Sequence, residues 1–331
     1  MKNYPWLINQ YKKITKKYFN NKLHPIILIQ AHIGIGISQL IFNIARWILC
    51  LHKKKDNNCN QCLSCILINQ KKHPDFYNVD DISKHKYIGI NIIRTIIDNI
   101  YHSSQQGGAK IVYFSSINKL TIEANNALLK VIEEPPKNTI FFLNTTNINK
   151  VINTIKSRST IYYIAPPKEK DNLLWLKERN KIYNSIQLLT ALRINNNAPI
   201  ITHKFLNSNE LKKRNIFMIA IYQYMVNKKH IDLLTIILNY SKKKIITWIC
   251  YIILDAIKYL TCKKYKIQNL DQLKLIIKIA KINNFNILIT HLISWIQCKK
   301  ILSYSYNIDK KLILTEQIFL LMTEILNNNN I

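Results

Sequence analysis

Pro25-Ile-Ile-Leu-Ile-Gln30-Ala31-His32-Ile33-Gly34-Ile35-Gly36-Ile37-Ser38 is the stretch that decides the fold. Pro25 to Gln30 is a short apolar run, the pattern of a parallel strand covered on both faces. Gly34 and Gly36 supply a tight turn, and Ser38 opens an amphipathic helix reaching about Cys50. Outward from this unit the alternation recurs. Asp75–Val79, Lys110–Phe114, Thr139–Leu143 and Ser159–Ile164 read as further strands, and Gly89–Ser103 and Thr121–Glu134 as helices. Thr121 caps the latter helix. Pro135-Pro136 end it, because proline lacks an N–H and disfavours a helical residue before it. Strands separated by helices predict an α/β fold, a parallel sheet with helices on both faces.

Pro166-Pro167 marks a boundary, beyond which no strand pattern is found. A small helical domain is expected over 167–207 and a helical bundle over 208–331, with apolar residues at helical spacing such as Leu233, Ile236, Ile237 and Tyr240. Asn327 to Asn330 read as a frayed end. Three regions agree with a chain of 331 residues at about 150 per domain.

Composition removes several classes. Hydrophobic residues make up 48%, too many for a disordered chain, and five Gly with eight Pro exclude collagen-like architecture. The longest apolar runs, such as Ile245–Leu254, fall short of the ~20 residues that span a bilayer. Asn9 and Gln10 interrupt the opening apolar residues, so no secretory signal is expected, and the protein reads as soluble and intracellular without a membrane partner. The net charge of +30 comes from 48 Lys and Arg against 18 Asp and Glu. A basic excess can mark a nucleic-acid partner. Here 42 of the 48 are Lys, spread along a chain crowded with Ile and Asn, the signature of AT-rich coding. The charge is weak evidence.

Cys50, Cys59, Cys62 and Cys65 are spaced to close a tetrahedral thiolate shell. Zinc is preferred, because nothing nearby suggests redox chemistry; an iron–sulfur cluster takes the same ligands and stays open. Four protein ligands leave no place for water, so the metal would be structural. Cys250, Cys262 and Cys298 fall in helical stretches as small core residues, and His73 before Pro74 reads as a turn residue.

The loop Gly34-Ile35-Gly36-Ile37-Ser38 has the placement of a phosphate-binding loop, which needs a Lys before the Ser to reach the phosphates. Ile37 stands there instead. The third strand should end in carboxylates for magnesium, and Ser115 and Ser116 stand in that place. Neither ATP hydrolysis nor bound ATP is expected. Glu133 and Glu134, adjacent before two prolines, suit a helix stop and a surface for a neighbour better than acid–base work.

The order of parts is specific. The degenerate loop and four-cysteine insert precede His73-Pro74-Asp75 and Gly107-Gly108-Ala109-Lys110. Asn126-Ala127-Leu128-Leu129-Lys130, Glu133-Glu134-Pro135-Pro136, Asn144-Thr145-Thr146 and Ser157-Arg158-Ser159 follow, and the chain opens on Tyr4-Pro5-Trp6-Leu7. This resembles the bacterial clamp-loader proteins of the AAA+ class, closely through about residue 166. The resemblance implies an AAA+ domain at 1–166 with a zinc module at about 50–65, a lid at 167–207 and a collar at 208–331. It implies a non-hydrolysing subunit, without catalysis of its own, of a cytoplasmic, nucleoid-associated polymerase holoenzyme whose assembly has nucleotidyltransferase activity. Implied partners are gamma/tau ATPase subunits and a delta subunit in a hetero-pentamer, with the sliding clamp and primed DNA reached through the complex.

Ser157-Arg158-Ser159 matches the family's Ser-Arg-Cys motif except at its last position, so the resemblance makes Arg158, with Ser157, an arginine finger acting in trans. Arg193 to Pro199 lacks the glycines common in relatives, and no nucleotide-sensing role is assigned to it. Two alternatives remain: an active ATPase of this fold, opposed by Ile37, Ser115 and Ser116, and a zinc-stabilised stand-alone nucleic-acid binder, opposed by the lack of aromatic residues interleaved with Lys.

Overall fold

The computed structural model describes residues 4–54, 57–82, 87–106, 108–227, 242–261, 266–304 and 310–325. Gly107, Cys262, the stretch from Leu233 to Tyr240 and Asn327–Asn330 lie outside them. The chain divides into two compact units, Met1–Pro167 and Lys168–Ile331.

In the first unit a short turn of helix, Pro5–Leu7, leads into α1 (Ile8–Phe19), β1 (Ile26–Ala31), α2 (Ile37–Ile48) and α3 (Leu63–Asn69). Then come β2 (Phe76–Asn78), α4 (Val79–Ile82), α5 (Ile90–Tyr101), β3 (Lys110–Phe114) and α6 (Ile122–Glu133). The unit ends with β4 (Thr139–Thr145), α7 (Asn153–Ser157) and β5 (Thr160–Ile164). The sheet order is β2-β3-β4-β1-β5, with every neighbouring pair parallel.

Successive residues of a strand point to opposite faces. Ile27 and Ile29 of β1 join Ile14 of α1 and Leu40, Ile41 and Ile44 of α2 in one buried cluster. Ile26 and Leu28 join Ile93 and Ile96 of α5 and Leu128 and Ile132 of α6 in another. Both faces are covered, which is why β1 is apolar without alternation.

The boundaries move where a side chain or a glycine dictates. Gly36, at φ 102°, caps α2 in the left-handed region, so the helix begins at Ile37 and Ser38 lies inside its first turn. β2 is shorter than Asp75–Val79, since Val79 already starts α4. The buried Asp75 carboxylate instead accepts the Gln105 and Gln106 N–H groups, both at 3.0 Å. Thr121 caps α6 as expected, its hydroxyl accepting from Ala124 N at 3.3 Å. The buried Lys110 ammonium closes the C-terminus of α5, donating to the Ile100 carbonyl at 2.7 Å.

In the second unit no strand occurs among the described residues. It holds α8 (Glu169–Arg179), α9 (Ser185–Ile194), α10 (Pro199–Asn207) and α11 (Glu210–Asn227), then helices at Lys242–Leu260, Leu273–Ile282, Phe285–Tyr304 and Lys310–Leu320. Its turns use asparagine where glycine is usual: Asn196, Asn197 and Asn209 have φ of 54°, 58° and 56°. Cys298 is buried in the core and Cys250 packs against it. The Arg193 guanidinium pairs with Glu169 at 2.5 Å and donates to the Ile267 carbonyl at 2.6 Å.

Beneath α11 lies a polar knot. The fully buried Arg214 donates to Asp271 at 2.7 Å and to Asn269 Oδ1 at 2.6 Å. Buried Asp255 accepts the Asn269 backbone and side-chain N–H groups at 2.8 and 2.7 Å. Removing one member of a buried ion pair strands the other's charge. Arg214→Ala is therefore expected to destabilise the protein by about 3–5 kcal/mol in denaturant titrations. A change within the scatter of surface substitutions would contradict this reading of the knot.

Candidate functional site

Two glycines bend the loop between β1 and α2, and its Ile35, Ile37 and Ser38 are each engaged within the unit. Gly34 and Gly36 sit at φ 87° and 102°, a region that side chains disfavour. Ile35 is fully buried, and its carbonyl accepts the Trp6 indole N–H at 2.9 Å, fastening Tyr4-Pro5-Trp6-Leu7 to the loop. Ile37 packs into the apolar cluster of α1, α2 and β1. The Ser38 hydroxyl, which would face magnesium in a working loop, shares a hydrogen bond of 3.0 Å with the Tyr113 hydroxyl of β3. Burial pushes that phenol up to about 12, so it stays protonated at neutral pH.

At the end of β3 the structure adds a carboxylate that sequence order hid. Asp80, from α4, accepts the Ser115 backbone N–H at 3.2 Å and pairs with Lys119 at 2.8 Å. Burial pushes its pKa up, but the Lys119 ammonium and the Ser115 N–H outweigh this and hold it below the usual range. Its charge is already matched. Ser115 offers its carbonyl to the Asn144 amide at 2.9 Å.

The four cysteines converge. Cys50 follows the end of α2, Cys59 lies in the intervening loop, Cys62 caps α3 and Cys65 sits within it. All four sulfurs lie within 4.8 Å of one another, with Sγ–Sγ distances of 3.5 Å (Cys50–Cys59), 3.9 Å (Cys59–Cys65) and 4.0 Å (Cys50–Cys62). A tetrahedral ion with metal–sulfur bonds of about 2.3 Å puts its ligands about 3.8 Å apart, so the spacing fits one ion. A multi-iron cluster interposes several atoms and needs a wider frame. Burial pushes Cys50 up to about 12, whereas the Cys62 backbone N–H pulls Cys59 down to about 6. His73 stays apart as the expected turn residue, with Nδ1 accepting from Asp75 N at 3.1 Å and Nε2 facing Ser64 Oγ at 3.1 Å.

Arg158 caps the C-terminus of α7, between β4 and β5, with its side chain 41% exposed. Its Nη2 lies 3.0 Å from Glu133 Oε1, and Nη1 donates to the Thr154 carbonyl at 3.4 Å. Ser157, beside it, donates its hydroxyl to that same carbonyl at 3.0 Å. The reading of Glu133 and Glu134 as a helix stop and a surface for a neighbour gives no sign of this pair.

Comparison with known proteins places these parts in one family. The profile described as DNA polymerase III, delta subunit, matches residues 7–168, and a second profile, for the C-terminal part of that subunit, matches 208–323. DNA polymerase III subunit delta' of Buchnera aphidicola subsp. Acyrthosiphon pisum (strain APS) is 38% identical over 328 residues, 99% of each chain. The chain belongs to the DNA polymerase III delta' family. The Escherichia coli (strain K12) delta' subunit is 30% identical over 258 residues, 78% of this chain and 77% of that one. Among solved structures, a DNA polymerase III gamma subunit-related protein from Thermotoga maritima shares the fold at a TM-score of 0.51 and 17% identity, covering 96% of this chain and 99% of that one. The expected AAA+ architecture, a parallel α/β sheet followed by helices, agrees with this delta' membership. Among the described residues no helix is long and apolar enough to cross a membrane.

Proposed function

We propose that this delta' family chain is a non-hydrolysing subunit of the DNA polymerase III clamp loader. It would stand with gamma/tau ATPase subunits and a delta subunit in a cytoplasmic hetero-pentamer that sets a sliding clamp on primed DNA. In this reading residues 167–207 form a lid and 208–331 a collar. The observation that carries the proposal is the buried Ile37 beside the Ser38–Tyr113 hydrogen bond: the position that should grip phosphate packs into the core, and the hydroxyl that should meet magnesium is engaged by a phenol.

Arg158, by contrast, is displayed at the surface. A guanidinium delivered across a subunit boundary offsets the charge that builds on a phosphoryl group during transfer. Ser157 bonds the carbonyl that Arg158 also uses, which steadies the turn that presents it. Cys50, Cys59, Cys62 and Cys65 would hold one zinc ion, which supplies a crosslink between the end of α2 and α3 and no open coordination position.

A fluorescent ATP analogue titrated with magnesium into the isolated chain tests the closed site. No saturable signal is expected up to millimolar concentration. Saturation in the micromolar range would overturn the non-hydrolysing assignment and favour an active ATPase.

A further inference from the structure

Glu133 is the last residue of α6, where the helix carbonyls present partial negative charge and disfavour a carboxylate. Glu134 adds a second acid, and Pro135-Pro136 prevent the helix from running on. A carboxylate so placed breaks a local rule, and such breaks concentrate at functional positions. Its partner is Arg158, 25 residues further along the chain, reached through the turn between α7 and β5. The guanidinium is held at two nitrogens, by Glu133 Oε1 at Nη2 and the Thr154 carbonyl at Nη1. A guanidinium has five N–H groups, so donors remain for an incoming oxyanion.

We infer that Glu133 is a positioning residue for Arg158. Together with the Thr154 carbonyl it sets the guanidinium's orientation before a neighbour's nucleotide arrives. The inference rests on the trans role proposed above. A free arginine loses much rotamer freedom on docking, whereas one held in a fork gives up less. The gain appears in turnover, because the contact with the phosphoryl group tightens in the transition state. Both partners are about half exposed, so the pair adds little to folding stability, and melting and assembly serve as controls.

The test uses the full chain assembled with its nucleotide-binding subunits, with magnesium ATP as substrate. Glu133→Ala is expected to lower kcat at the site facing Arg158 by about five-fold, with KM, melting and assembly unchanged. Glu133→Gln, whose amide oxygen still accepts from Nη2, restores most of the rate. In an Arg158→Ala background Glu133→Ala adds no further loss. Wild-type turnover in Glu133→Ala, or an equal loss in both backgrounds, overturns the positioning role while leaving the finger in place. An Arg158→Ala complex with normal turnover removes both.

Discussion

Arg158→Ala in the reconstituted complex is expected to slow hydrolysis at the one nucleotide that it faces by about 10³–10⁵, the range for arginine fingers elsewhere. Assembly should survive, because the side chain is 41% exposed and exposed ion pairs contribute at most about 1 kcal/mol to folding. Single-turnover kinetics resolve the affected site from the others, and clamp loading on primed DNA should fall with it. Arg158→Lys keeps the charge but not the planar fork, so it should recover only part of the rate. Undiminished single-turnover hydrolysis in Arg158→Ala would end the trans role.

The second large effect concerns the four sulfurs. Elemental analysis should find about one zinc per chain, and Cys62→Ser should remove it. Apparent zinc binding in small structural sites is worth about 10–16 kcal/mol near neutral pH, and much of this is folding energy. Among the described residues from Cys50 to Cys65 the start of α3 is the only regular structure, and the Trp47 indole donating to the Lys54 carbonyl at 2.9 Å ties only the near end of the loop to α2. Protease should cut there first in the variant, while the sheet persists on its own two apolar clusters. Protons compete for the thiolates, so metal loss in the wild type should follow acidification. A fully folded, metal-free wild-type module would contradict the assignment.

How much of this was visible in the residues alone follows from range. β1, β3 and β4 were legible because strands covered on both faces read as apolar runs, whereas the edge strands β2 and β5 are only partly covered; the cysteines were legible because they lie within 16 residues. The Ser-Arg pair stood out in a chain with six arginines. The contacts that give the site its character were not legible. Ser38 and Tyr113 are 75 residues apart and meet through the packing of α2 against the sheet. Asp80 reaches the end of β3 because β2 lies beside it, so counting along β3 could not find it. Glu133 and Arg158 are separated by the whole of β4. Arg214 was invisible for another reason: an arginine directly after Lys212 and Lys213 reads as solvated, and only the turn bearing Asn269 and Asp271 makes its burial tolerable.

Asn196, Asn197 and Asn209 close their corners in a left-handed conformation, in a unit that contains no glycine at all. Each such corner costs a residue with a Cβ on the order of 1–2 kcal/mol, and asparagine is merely the least penalised substitute. Part of what the helices gain by packing is consumed in holding these bends shut. Glycine at Asn196 and Asn209 is the plainest route to a hardier variant, whereas Asn197 must stay, because its Oδ1 accepts from the buried Asn172 amide at 3.0 Å.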